Sequence, residues 1–203
     1  MTSLRISGGT LRGRIVAVPP HELRPTSNKA RQAFFNMLGP SIAGARFLDL
    51  FAGSGIFSFE AMSRGASRAV AVDSSASSCA SIREVAAKLD LKVNVIQRDA
   101  LQALREPSAA LEAAFDVIYA DPPYDWPAYR ELLESLDSRV TAPEVTVAIE
   151  HRSDALLFDD APLRNLTHRK TSRYGTVAIS IFDRRAGIDE TQNAFEAEAL
   201  ESE

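Results

Sequence analysis

The sequence predicts an α/β protein with a mostly parallel sheet and helices on both faces. From Arg46 to Ile149, short apolar runs rich in β-favouring residues alternate with segments of helical spacing, the signature of βαβ units. Four acids, Asp49, Asp73, Asp99 and Asp121, stand in or just after four successive runs. The first run also passes directly into Gly53-Ser54-Gly55, a small-residue turn that opens a helix.

Each element has a local cause. Arg5 to Val18 reads as strand, turn and strand, with bends at Gly8-Gly9 and Gly13 and β-favouring Ile15, Val16 and Val18. Pro19-Pro20 ends it, and Arg24-Pro25-Thr26 leads in extended form to a helix capped by Ser27 or Thr26. That helix runs through Leu38, with Ala30, Ala33, Phe34, Met37 and Leu38 as its apolar face and Gly39-Pro40 as its stop. Asn28, Lys29, Arg31 and Gln32 are placed on the polar side, facing either solvent or a ligand.

Strand Arg46 to Leu50 follows, then a helix from about Gly55 to Arg64 stopped by Gly65, and strand Arg68 to Val72. A helix over Ser75 to Leu89, strand Lys92 to Ile96, a short helix over Ala100 to Arg105 and strand Asp116 to Ala120 continue the series. Trp126 to Leu136 is the next helix and Val145 to Ile149 the next strand. Leu163 to Lys170 and Thr176 to Phe182 close the sheet as an antiparallel pair around Arg173-Tyr174-Gly175. The expected division is a basic hairpin and helix over 1–40, a main domain over 41–185 and an acidic, disordered tail over 186–203.

Composition bounds the partners. At 203 residues, 45% apolar and 25% charged, the chain can bury one full core. A single Cys79 excludes an intrachain disulfide framework and a multi-cysteine zinc site, and no metal motif is visible. There is no apolar stretch approaching 18 residues and no signal-peptide core at the N-terminus, so a cytoplasmic protein with no membrane partner is expected.

The net charge of -4 argues weakly against nucleic acid, yet its distribution reverses the argument. Arg5, Arg12, Arg14, Arg24, Lys29 and Arg31 face only Glu22 within residues 1–31, whereas the last 18 residues hold six acids and no Lys or Arg. A basic front attracts phosphate locally, because screening confines charge effects to about 10 Å at ordinary salt. The bland alternative is a solvated hairpin whose arginines protect an edge.

The glycine turn and the acids describe a nucleoside site. Glycine lets a ligand approach the backbone, and Asp73, 20 residues after Gly53, stands where a carboxylate accepts from ribose hydroxyls. A dinucleotide site has a third glycine where this chain has Ser58, and it needs donors for a pyrophosphate where this turn carries acids. S-adenosylmethionine fits better: its amino group and sulfonium are positive, its ribose offers two hydroxyls, and its adenine N6 can donate to Asp99. A nicotinamide oxidoreductase is disfavoured by Ser58.

Asp121-Pro122-Pro123-Tyr124 supplies the other half. An acid and a ring held stiffly by prolines after a strand can grip a flat, hydrogen-bonding base. Asp121 and the Pro122 carbonyl would accept from an exocyclic amine, and Tyr124 would stack on the base. The tetrapeptide alone does not choose the base, so adenine-N6 methylation of DNA or RNA remains open. So does a non-catalytic RNA-binding or ribosome-assembly protein on the same scaffold.

With both halves in view, the chain resembles the class I methyltransferases, and within them the bacterial RsmD-type family that methylates the N2 amine of a guanine in small-subunit (16S) ribosomal RNA. The likeness covers residues 4 to about 184. It rests on Arg5-Ile6-Ser7-Gly8 with Leu11-Arg12-Gly13-Arg14, on Arg24-Pro25-Thr26-Ser27 with Arg31 and Phe35-Asn36-Met37-Leu38, on Leu48 to Gly55, on Glu60 to Ala66, and on Asp121 to Tyr124.

The resemblance implies a Rossmann-like, seven-stranded sheet and S-adenosylmethionine as cofactor, held by Asp49, Phe51, Gly53, Gly55, Asp73, Asp99 and Ala100. It implies Asp121, Pro122 and Tyr124 as the catalytic residues, and Arg5, Arg12, Arg14 and Arg31 as RNA contacts. Arg169, Lys170 and Arg173 are a second candidate contact, or a solvated hairpin. The partner implied is ribosomal RNA or the assembling small subunit, met by a monomer. Departures from the family pattern are Asn28 and Gln32, where acids are usual, and Asp73, where a longer Glu is usual.

Overall fold

The computed structural model describes residues 2–18, 28–106, 108–112, 114–139, 142–155 and 163–184. The expected stop at Pro19-Pro20, the Arg24 to Ser27 lead and cap, and the tail over 186–203 lie outside them. Two antiparallel strands, β1 (Thr2–Arg5) and β2 (Ile15–Val18), form the N-terminal arm. Helix α1 (Asn28–Leu38) and a short 3-10 turn, Gly39–Ile42, lead into the main sheet.

The sheet holds β3 (Arg46–Leu50), β4 (Arg68–Asp73), β5 (Val93–Gln97), β6 (Val117–Ala120), β7 (Thr146–Arg152), β8 (Leu166–Tyr174) and β9 (Val177–Arg184). Its order is β5-β4-β3-β6-β7-β9-β8. The first five of these are parallel, and β9 and β8 join antiparallel at the far edge. The chain moves outward from β3 to β5, then returns to the other side of β3 as β6. That reversal creates a switch point, and open α/β sheets bind ligands outside the strand ends at such a point.

The helices divide between two layers. Helices α2 (Ile56–Ser63) and α3 (Ala76–Lys88) share one core with α1, and the arm contributes Ile6 and Val16 to it. Helices α4 (Ala100–Arg105), α5 (Ala109–Glu112) and α6 (Tyr129–Arg139) bury Leu101, Leu104, Leu111, Leu132, Leu133 and Leu136 in the opposite core. Helix α4 starts where expected because the Asp99 side chain caps it, accepting from the Gln102 N–H at 3.0 Å. Ser75 caps α3 in the same way. Helix α6 starts at Tyr129 rather than Trp126: the Trp126 N–H donates to the Pro123 carbonyl at 2.8 Å, closing a turn that delays the helix.

The arm is fastened to the far end of α2. Glu60, fully buried, accepts from the Arg31 Nε at 2.9 Å, the Arg64 NH2 at 2.8 Å, the Ser7 N–H at 3.2 Å and the Ser7 hydroxyl. A second Arg31 nitrogen donates to the Arg5 carbonyl at 2.7 Å, and Ser63 Oγ donates to the Gly8 carbonyl at 2.7 Å. Gly9 lies so close to this helix end that a Cβ would sit 1.9 Å from the Ser63 carbonyl oxygen. Arg31, placed by periodicity on the polar side as an RNA contact, is therefore corrected: it is 1% exposed, and its charge is spent on Glu60 and the arm's backbone.

His151, which has no evident partner in the sequence, is buried in β7. Its ring nitrogens lie 2.8 Å from the Arg152 carbonyl and 2.8 Å from Ser180 Oγ, and burial pulls its pKa down.

Candidate active site at the β3–β6 switch point

Strand β3 ends in a sequence of unusual backbone conformations. Phe51 has φ 62°, Gly53 φ 52° and Gly55 φ 73°, so the turn must leave the ordinary range three times within five residues. For Phe51 this carries a real cost, and such strain gathers at ligand sites. The two glycines serve different ends. A Cβ on Gly53 would meet nothing nearer than the Phe51 carbonyl oxygen at 3.9 Å, which leaves the space over the turn open to a ligand. A Cβ on Gly55 would stand 2.9 Å from Ile82 Cγ1 and 3.2 Å from Phe59 Cε2, so this glycine lets α2 pack on α3.

The acids follow from strand register. Asp49 is 2% exposed and accepts from Ser58 twice, from the hydroxyl at 2.7 Å and the backbone N–H at 3.1 Å. Ser58, which in the sequence marks a missing glycine, thus satisfies a buried carboxylate. Burial outweighs these bonds, and the negative neighbours Asp121 and Asp73 add to it, so the Asp49 pKa is pushed up to about 7. Asp73 accepts from the Gly53 N–H at 2.7 Å on one oxygen and from the Ser75 N–H at 2.8 Å on the other. It therefore ties the glycine turn to the start of α3 while each oxygen keeps a further lone pair for a ligand. Asp99 is exposed beyond β5 and caps α4 through Oδ1, with Ala100 buried behind it.

The Asp121 to Tyr124 motif stands on the neighbouring strand. Leu50 of β3 pairs with Ala120 of β6, and the Asp121 N–H donates back to the Leu50 carbonyl at 3.3 Å. The motif and the glycine turn thus leave adjacent strand ends. Pro122 is buried, and Tyr124 is half-buried against the α1–α2 core.

Sequence reasoning missed Tyr129, whose one hydroxyl proton is shared between the Pro123 carbonyl at 3.2 Å and the Pro122 carbonyl at 3.4 Å, tying the motif to α6. A tyrosine five residues after the motif was the only available signal. Trp126 packs edge-on against Phe51, ring centroids 5.1 Å apart, and against Tyr129 at 5.8 Å, so it links the two strand-end turns.

These groups suit a cationic nucleoside: open space over Gly53, acceptors at Asp73 and Asp99, and a buried acid at Asp49 that gains from a nearby positive charge. On the arm, Arg5, Arg12 and Arg14 are exposed. On β8, Arg169 pairs with Asp183 at 3.1 Å and Arg173 donates to the Ser153 carbonyl at 3.2 Å, so both are engaged along the sheet edge. Among the described residues, no cluster of three or more His, Cys, Asp or Glu could hold a metal.

Known proteins are similar to this chain in sequence and fold. Residues 4–183 match the family model described as conserved hypothetical protein 95. Ribosomal RNA small subunit methyltransferase D of Escherichia coli strain K12 is 31% identical over 186 residues, covering 90% of this chain and 91% of its own. The solved structure of the E. coli protein yhhF is 28% identical, covers 92% of this chain and 100% of its own, and superposes with a TM-score of 0.78. A SAM-dependent methyltransferase from Streptococcus mutans, 15% identical, covers 80% of this chain and 50% of its own with a TM-score of 0.66, a likeness that shows the fold alone. On the match across nearly its whole described length, the chain belongs to the conserved hypothetical protein 95 family, that of ribosomal RNA small subunit methyltransferase D.

Proposed function

We propose that this protein transfers a methyl group from S-adenosylmethionine to the exocyclic N2 amine of a guanine in small-subunit ribosomal RNA. The observation that supports the reading is the pairing of Leu50 with Ala120, which sets the glycine turn and the Asp121 to Tyr124 motif on adjacent strand ends. The E. coli relative's name supplies the substrate class. Asp49, Phe51, Gly53, Gly55, Asp73, Asp99 and Ala100 are the residues that would hold the cofactor, which when bound supplies an electrophilic methyl on a cationic sulfur.

An exocyclic amine is a poor nucleophile because its lone pair is delocalised into the ring. Asp121 and the Pro122 carbonyl accept its N–H bonds, hold it in one orientation and favour rehybridisation as the new bond forms. The proline rings stiffen these acceptors, and Tyr129 ties their carbonyls to α6. Tyr124 stacks on the base, which must be looped, single-stranded or flipped to reach the site. Asp121 or water takes the released proton. Guanine suits this carboxylate because N1–H and N2–H both donate, whereas adenine presents an acceptor at N1. Arg5, Arg12 and Arg14 of the arm contribute phosphate contacts.

The test is methyl transfer from labelled S-adenosylmethionine to small ribosomal subunits, naked ribosomal RNA and duplex DNA in parallel, with Asp121→Ala as control. Label is expected on N2 of a guanine in the subunit or its RNA. Label on DNA alone, or label that persists without Asp121, would overturn the reading.

A further inference from the structure

Helix α1 carries a row of carboxamides that its packing does not use. Asn28, Gln32 and Asn36 recur every four residues, so they lie along one stripe, and all three are exposed. At 1.5 Å per residue the row is about 12 Å long. The opposite side of the helix is spent on the core through Ala30, Phe34 and Phe35, and the helix contains no acid.

The row faces the arm across a groove made of two adjoining clefts. One, of about 350 Å³, has Arg5, Arg12, Asn28 and Gln32 in its walls; the other, of about 490 Å³, has Arg12, Gln32, Asn36 and Arg64. Arg12 and Gln32 belong to both, so the two clefts run into one another. Among the described residues, no carboxylate lines either cleft. The acid beneath them, Glu60, is buried and fully occupied by Arg31, Arg64 and Ser7.

The groove is therefore cationic, and two of its cations are held in place. Arg5 donates to the Gly13 carbonyl at 2.8 Å, and Arg64 is pinned on Glu60 while 19% of its side chain stays exposed. Such walls set guanidinium groups of the arm opposite carboxamides of the helix. They match a nucleic-acid strand: guanidinium groups take phosphate oxygens, and a carboxamide both donates and accepts, as a ribose 2′-hydroxyl does.

We propose that this groove, bounded by Arg5, Arg12 and Arg64 and by the Asn28, Gln32 and Asn36 row, seats a single-stranded RNA segment flanking the methylated base. It reads the strand through phosphates on the arm side and ribose hydroxyls on the helix side. The inference rests on the RNA-methyltransferase reading and adds to the arm a second wall, from α1 and α2.

Binding is measured by fluorescence anisotropy with a labelled single-stranded RNA oligonucleotide and the DNA oligonucleotide of the same sequence, so no methyl transfer is needed. This keeps the groove testable even where the transfer assay fails. The wild-type protein is expected to bind the RNA at least fivefold more tightly than the DNA. The variant N28A/Q32A/N36A, confined to exposed positions and free of helix-breaking residues, is expected to lose at least tenfold in RNA affinity while binding S-adenosylhomocysteine as the wild type does. Arg12→Ala, independently, is expected to weaken RNA and DNA alike and to flatten the salt dependence. RNA affinity unchanged in either variant, or equal affinity of the wild type for RNA and DNA, overturns the proposal.

Discussion

On the proposed reading, in which the cofactor's positive charge lies beside Asp49, binding is a proton-linked event. The Asp49 carboxylate is buried, and the two Ser58 bonds do not offset the loss of water, so its pKa in the free protein is about 7. A cation bound beside it favours the ionised form, and affinity then follows the fraction already ionised. For a pKa of about 7 that fraction is about one-eleventh at pH 6 and about ten-elevenths at pH 8, a tenfold gain in affinity. Titration calorimetry with S-adenosylhomocysteine across this range reads it, and buffers of different ionisation enthalpy report proton release directly.

Asp49→Asn removes the linkage, and the ratio of the two proteins' affinities cancels the ligand's own titration. The sign for stability is opposite. The folded pKa lies above the unfolded one, so between about pH 4 and 7 only the folded state holds the proton, and stability falls as pH rises through that window. At pH 8 the buried charge costs on the order of 4 kcal/mol, so Asp49→Asn is expected to melt higher than the wild type there. Equal pH slopes in the two proteins, or an Asn variant no more stable at pH 8, would refute the reasoning.

Two further perturbations follow from the packing. Glu60→Ala leaves the Arg31 guanidinium buried without a counter-charge, which costs roughly 3–5 kcal/mol and on the order of 10 °C in Tm. A scan that shifted by no more than 2 °C would mean that the arm is held by other contacts. Tyr129→Phe deletes the hydrogen bond shared between the motif's carbonyls, worth about 1 kcal/mol, and is expected to lower kcat about fivefold with S-adenosylhomocysteine affinity intact. An unchanged kcat would show that the prolines alone hold the acceptors.

Much of the fold is legible in the sequence because its signals are local. The alternation of periods gave β3 through β9 to within a few residues, and the side chains of Asp99 and Ser75 marked two helix starts by capping them. Periodicity failed at Arg31, because a helix wheel records hydrophobicity and cannot see that a distant Glu60 neutralises a buried guanidinium. At Ser58 the missing glycine argued rightly against a dinucleotide, but only the structure shows that its hydroxyl is a donor for Asp49. Tyr129 and Trp126 carry no local mark of their tasks, since both act on residues of other turns.

The sequence by itself therefore determined most of the elements, the acids at their ends and the family, all of which depend on residues near one another along the chain. Only the tertiary structure decided which charges are buried, which glycine faces open space and which faces packing, and that the arm, α1 and α2 enclose a groove. Those properties belong to pairs such as Arg31 and Glu60, or Gly55 and Ile82, whose members meet only when the sheet brings them together.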